Sequence, residues 1–259
     1  MFLGYPLAFW QLHLLVLCRV SSFLVTAPVF SSRSIPPLAK IGLATLVAIL
    51  IAPQVRGYSG LETASWQIFV MRVIAEVLVG LALGWIASLT FNAIRVAGEM
   101  IDLQTGFSMA QLFDPQQGYQ VSLLGQLMVV LGTLLYLAIG GHLVLLESLG
   151  ASYNLIPPGG AGLAQADSAI VAKIFVGSFA LGFRMAAPLL AVLAVTDIAL
   201  SLVARTVPQL NVFILGFPLK AGVALVALEL ALPLLSVMMG QVFDQVQKDL
   251  STIVRSLAP

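Results

Sequence analysis

VLVGLALGWIASLTFNAI, residues Val77 to Ile94, contains no Asp, Glu, Lys or Arg and fixes the class of this protein. A helix needs about 20 mostly apolar residues to cross roughly 30 Å of hydrocarbon. Other charge-free windows run from Met1 to Cys18, Pro115 to Leu146, Ser148 to Ala166, Thr206 to Leu219 and Leu230 to Phe243. The window from Ser148 is not a span, because Ile156-Pro157-Pro158-Gly159-Gly160 in its middle reads as a loop. Helices are expected near 4–30, 38–54, 66–100, 119–149, 168–205 and 212–256, with Pro218 and Pro233 breaking or kinking the last.

Composition says the same of the whole chain. Of 259 residues, 60% are hydrophobic and 9% charged, with a mean hydropathy of +1.05. A soluble domain has about 45–50% apolar and about 25% charged residues. The outer surface must therefore face lipid or other proteins, and the fold class is all-α and membrane-integral. Net charge is +1, from 12 basic and 11 acidic residues. There is no basic footprint for nucleic acid and no acidic tail. A single cysteine, Cys18, excludes an internal disulfide framework and a Cys-based zinc site. The start, MFLGYPLAFWQLHLLVL, lacks a positive n-region and a cleavage site and is read as structure. The even apolar density points to one body, a single domain over 1–259.

Charges do stand inside the apolar stretches. Arg72 and Glu76, and Arg95 and Glu99, are spaced i, i+4 and share a helix face. Arg184, Asp197, Lys220 and Glu229 are similarly placed. A charge at membrane depth faces a partner or an aqueous cavity; for the two i, i+4 pairs the simpler expectation is that their helices emerge from the membrane. Lys and Arg are scattered so that no set of alternate loops sets an orientation. Gly80 and Gly84, and Ala221, Ala224, Ala227 and Ala231, are small residues at spacings that permit close helix contact.

Little of the sequence reads as catalytic. HExxH, Walker and GxGxxG patterns are absent, and His13 and His142 lie far apart. Gly106-Phe107-Ser108-Met109-Ala110 approaches a serine elbow, with His142 as a conceivable base for an intramembrane protease, but the second glycine is missing. More informative is the connection itself. From Gly98 to Pro115 it carries three acids, Glu99, Asp102 and Asp114, and an apolar cluster of Phe107, Met109, Leu112 and Phe113. Connections in water are polar; one this apolar is either a hairpin packed on a neighbour or a hydrophobic constriction that excludes water and ions. A second interrupted run, Arg205 to Lys220, holds Pro208, Gln209, Asn211, Gly216 and Pro218. Such a run reads equally as a structural bend or as the broken helix of a transporter ion site.

Four stretches resemble the FliR family of flagellar biosynthetic proteins, whose injectisome counterpart is the T subunit of the type III secretion export apparatus. They are Pro28-Val29-Phe30 with Arg33, Ile35-Pro36 and Lys40; Glu76 with Gly80 and Gly84; Ala97-Gly98 with Ile101-Asp102, Gln104, Gly106-Phe107 and Asp114-Pro115; and Pro208-Gln209-Leu210-Asn211-Val212-Phe213 with Gly216-Phe217-Pro218-Leu219-Lys220. Length and hydropathy agree over the whole chain. The last stretch is the most specific, and its ending resembles flagellar members more than injectisome ones. With its tail at Pro259, the chain is expected not to be one of the fusions carrying an extra cytoplasmic domain.

The resemblance implies a core subunit of the export gate, without enzymatic activity, cofactor or metal. FliP-type and FliQ-type subunits would be its partners in a helical assembly, with FlhB-type and FlhA-type subunits nearby. That assembly would lie in the bacterial inner membrane within the flagellar basal body, much of it above the ordinary membrane plane. Unfolded exported proteins would pass through it, some helices would meet lipid, and nucleic acid would play no part. The family's plug loop falls on Gly106, Phe107, Ser108, Met109, Ala110, Leu112, Phe113 and Asp114. Its structural and assembly motif falls on Glu99, Asp102, Gln104, Pro208, Gln209, Asn211, Phe213, Gly216, Pro218 and Lys220. A secondary transporter or small-ion channel is the alternative, though the two-fold internal similarity common in transporters is not found. A scaffold that merely fills space would differ from the gate only in whether the 106–114 loop lines the pore.

Overall fold

Prolines and glycines divide an otherwise continuous apolar chain into its elements. In a computed structural model, which describes residues 6–55, 65–107, 122–160, 167–207, 209 and 212–257, seven α-helices are found. They are α1 (Leu7–Thr26), α2 (Pro37–Ile51), α3 (Trp66–Thr105), α4 (Leu123–Ala138), α5 (Gly141–Leu155), α6 (Ser168–Thr206) and α7 (Val212–Ser256). A 3-10 turn, Ala52–Gln54, prolongs α2, and no strand occurs among the described residues. The class is all-α, as the apolar windows indicate.

The ends follow from local chemistry. A residue before proline is pushed out of the helical region. Ala27, before Pro28, is extended at φ −64° and ψ 139° and stops α1; Ile156, before Pro157, ends α5 at φ −121° and ψ 90°. Pro37 opens α2 at its first position, where its missing N–H costs nothing.

Two expectations need correction. The single helix expected over 119–149 is two helices, interrupted at Ile139-Gly140. Gly140 sits at φ +73°, a left-handed conformation that glycine adopts without Cβ strain. Conversely, of the break or kink expected at Pro218 and Pro233 the break does not occur, since α7 runs through both, as α6 runs through Pro188. Each proline removes one backbone hydrogen bond, a loss that a helix of 45 residues absorbs.

Five helical segments are long and apolar enough to cross a membrane, or six if α4 and α5 count as one broken span. Helices α3, α6 and α7 have 40, 39 and 45 residues. At about 1.5 Å per residue each is roughly twice as long as a bilayer's hydrocarbon is thick.

The chain forms two compact units. One comprises α1, α2, α3 up to Leu89, α5, α6 up to Phe175 and α7 from Asp244; the other comprises residues 90–139 and 176–243. In the first unit α3 lies against α1 through glycine. A Cβ at Gly80 would strike the Arg19 carbonyl and the Ser22 hydroxyl; at Gly84 it would strike the Thr26 hydroxyl and lie 2.7 Å from the Phe23 carbonyl oxygen. Around this seam Leu15, Val16, Val20, Phe23, Val79 and Leu83 are buried.

Arg19 and Glu76 are wholly buried in the same unit. Arg19 donates from Nε to Glu76 Oε2 at 2.6 Å and from Nη2 to Oε1 at 3.0 Å. Its remaining donors reach the Ser152 hydroxyl at 3.2 Å and the Ile156 carbonyl at 3.1 Å. The guanidinium carbon stands 4.0 Å over the Tyr153 ring. Glu76 Oε1 also accepts from the Gly159 amide at 2.7 Å. One ion pair thus ties α1, α3, α5 and the turn after α5.

This corrects the expected i, i+4 pairing of Arg72 with Glu76 on an emerging helix. The partner of Glu76 is Arg19, and the Arg72 stem instead packs on Gly159. Of the other expected pair, both Arg95 and Glu99 are exposed.

Removing one partner of such a pair strands a buried charge, at a cost of about 3–5 kcal/mol, whereas replacing both by apolar groups costs far less. Glu76→Ala is therefore expected to lower stability by about 3–5 kcal/mol in detergent denaturation. The double variant Arg19→Met with Glu76→Leu should recover more than half of that; equal losses in the two variants would show that the pair contributes only through packing.

Candidate functional site

The end of α3 and the start of α4 are joined by one carboxylate. Asp102, in the last turn of α3, is buried. It accepts from the Ser122 hydroxyl and from the Leu124 amide, at 3.2 Å to Oδ1 and 3.1 Å to Oδ2. Ser122 is the N-cap of α4, and its hydroxyl oxygen also accepts from the Gly125 amide at 2.9 Å. The first amides of a helix have no internal partners; here a serine and an anion satisfy two of them, and the anion is favoured by the helix dipole. The backbones approach closely enough that a Cβ at Gly98 would lie 2.8 Å from the Leu124 carbonyl carbon. Both roots of the connection between α3 and α4 are thus held at Asp102.

Beyond Asp102, α3 closes on itself. The Thr105 hydroxyl and the Gly106 amide both donate to the Asp102 carbonyl, at 3.0 and 3.1 Å. Gly106 has φ +90°, open to glycine and strained for any other residue. A Cβ there would also lie 3.3 Å from the Phe217 ring. Phe107 meets that ring edge-on, with centroids 5.9 Å apart and planes at 86°.

One turn along α7 from Phe217, Lys220 pairs with Asp197 of α6. Asp197 Oδ2 accepts from Gln104 Nε2 at 2.8 Å. All of these residues belong to the second unit.

The structure therefore brings together Asp102, Gln104, Gly106, Phe107 and Lys220 among the expected residues, and adds Ser122, Asp197 and Phe217. Glu99 and Gln209 are exposed. Gly216 is buried near Leu200, and Pro218 is exposed within α7. Phe213 lies in the first turn of α7. Ser108, Met109, Ala110, Leu112, Phe113, Asp114, Pro208 and Asn211 lie outside the described residues. Of the three additions, Ser122 carries the clearest sequence signal, a serine ahead of an apolar run, which is the mark of an N-cap.

Fold and site together define a membrane-embedded helical protein in which the connection between a 40-residue helix and the 16-residue helix that follows it is stapled at both roots. The family described as bacterial export proteins, family 1, matches residues 10–246. The flagellar biosynthetic protein FliR of Bacillus subtilis (strain 168) is 37% identical over 234 residues, covering 89% of this chain and 90% of that protein. FliR of Escherichia coli (strain K12) is 33% identical over 254 residues, 97% and 95% of the two chains. The Yop proteins translocation protein T of Yersinia pestis is 29% identical over 217 residues, 82% of each. The chain belongs to the bacterial export proteins, family 1, the family of FliR, and is a component of type III protein export.

Stranding the Ser122 hydroxyl and the Leu124 amide in a buried site costs about 1–3 kcal/mol. Asp102→Ala is expected to lose that much in denaturant titration of the detergent-solubilised protein. Asp102→Asn keeps an acceptor and should lose less, and no loss in either variant would remove the staple from the account.

Proposed function

We propose that this chain is a core subunit of the flagellar type III export gate, that it assembles with FliP-type and FliQ-type subunits, and that its 106–114 loop plugs the pore. What supports the reading most is the loop's mounting. Asp102 fixes both of its roots, and Phe107, its first large side chain, is already seated on Phe217. An apolar segment held rigidly at its base is suited to filling a constriction.

The surface supports assembly. Arg95, Glu99, Arg184 and Glu229 are exposed on long apolar helices, beside exposed Leu225, Val226, Leu230 and Leu234. An exposed charge at membrane depth is costly against lipid, and acceptable against a partner that supplies a countercharge or water. In this reading the two units act as one export-gate domain, since the family match runs through both. The subunit is non-enzymatic and needs no cofactor. It sits in the cell membrane within the basal body, with FlhB-type and FlhA-type subunits adjacent and unfolded substrates passing by.

A tagged copy expressed with FliP and FliQ should co-purify as a discrete hetero-oligomer far larger than 27.4 kDa. In that complex, deletion of Phe107 to Phe113 should raise ion leakage while leaving subunit composition unchanged. Phe113→Ala should raise it less. Unchanged conductance in a correctly assembled complex would defeat the plug, and a lone chain or homodimer would favour the transporter.

A further inference from the structure

The function proposed above gives no role to Asp197, yet three helices converge on its carboxylate. Oδ2 accepts from Gln104 in the last turn of α3 at 2.8 Å, and Oδ1 pairs with Lys220 of α7. The pair is only part-buried, with side chains 34% and 23% exposed for Asp197 and Lys220. Lys220 follows Phe217 by three residues, so the two share a face of α7. Gln104 precedes Phe107 by three residues as well. The polar contact and the Phe107–Phe217 contact are therefore adjacent mounts of one short segment, the end of α3.

We propose that Gln104, Asp197 and Lys220 form a positioning latch that holds the end of α3 on α6 and α7 and keeps Phe107 seated on Phe217. The chemistry suits a latch that lets go. Where solvent reaches it on opening, a part-exposed ion pair shifts an equilibrium by about fivefold, and an edge-to-face aromatic contact adds about as much. Neither mount holds the segment permanently, and their sum is small enough for a passing chain or a partner to overcome. Its consequence for the pore rests on the plug reading; the latch itself does not.

The test uses the assembled complex in a Cys18→Ser background, with spin labels on Leu103→Cys and Leu215→Cys, exposed positions on α3 and α7 outside the latch. Pulsed electron paramagnetic resonance reads the distance between them. A narrow distribution is expected in the parent, and Lys220→Gln or Asp197→Asn should broaden it, raising the displaced population up to about fivefold. The charge-swapped pair, Asp197→Lys with Lys220→Asp, should restore the narrow peak. The Gln104 amide accepts from an ammonium as readily as it donates to a carboxylate, and packing alone predicts no such rescue. Distributions unaltered by Lys220→Gln, or a swap that fails to restore them, would overturn the latch. If the distances move as expected but ion leakage does not, the latch stands and the plug reading falls.

Discussion

Each charge buried among the described residues, Arg19, Glu76 and Asp102, has a bonded partner, and that constraint organises the rest. Only 9% of its residues are charged, and a charge between apolar helices is costly unless it is paired. The buried and part-buried charges with described partners are handled in three ways. Arg19 and Glu76 vanish into a fully bonded network. Asp102 becomes a helix cap. Asp197 and Lys220 neutralise each other while only part-buried. Two of the three join elements far apart in the chain and Asp102 joins consecutive helices, so the polar residues serve as rivets of an apolar fold whose hydrophobic effect cannot tell one helix face from another in lipid.

Rivets of this kind need backbones close together, and glycine provides the approach. Gly80 and Gly84 bring α3 onto α1 where Arg19 leaves it. Gly98 brings α3 against the start of α4, next to the Asp102 staple. Gly182 does the same on α6, where a Cβ would lie 2.7 Å from the Ala93 carbonyl oxygen. The pattern couples dispersion to polar bonding, because short side chains such as Ser122 and Asp102 reach their partners only when the axes are near. Aromatic packing fills the wider gaps, as where Tyr136 meets Phe243 with ring centroids 4.9 Å apart.

How much of this is legible in sequence depends on separation along the chain. The helices were readable because apolarity is local, and α3, α6 and α7 fall close to the expected ranges. The connection after Asp102 stood out for the same reason, as an apolar turn between charges. Arg19 did not, because it closes an apolar window and reads as an interfacial residue; its partner is 57 positions away. Glu76 had a plausible local partner in Arg72, and only tertiary packing shows which base it takes. Asp197 was visible as a charge at depth, but its bond to Gln104 spans 93 positions. The break at Gly140 was hidden by an apolar run on both sides, where one left-handed residue suffices to interrupt a helix.

The burial of each polar cluster also separates what is fixed from what can move. Arg19 and Glu76 are sealed from water, and opening their network would expose several unsatisfied groups at once, at about 1–3 kcal/mol for each. A contact of that kind lasts as long as the fold does. Asp197 and Lys220 are a quarter to a third exposed, so one pair of side chains, and not a sealed network, has to part on opening. The Asp102 staple is intermediate, since the carboxylate is buried but its two partners lie at a helix end. Along the last turn of α3, then, the chain passes from a firm anchor at Asp102 to a releasable one at Gln104 and Phe107. A segment graded in this way can part from Asp197 and Phe217 while its root at Asp102 stays in place, because the contacts that would open are weaker than the ones that would remain.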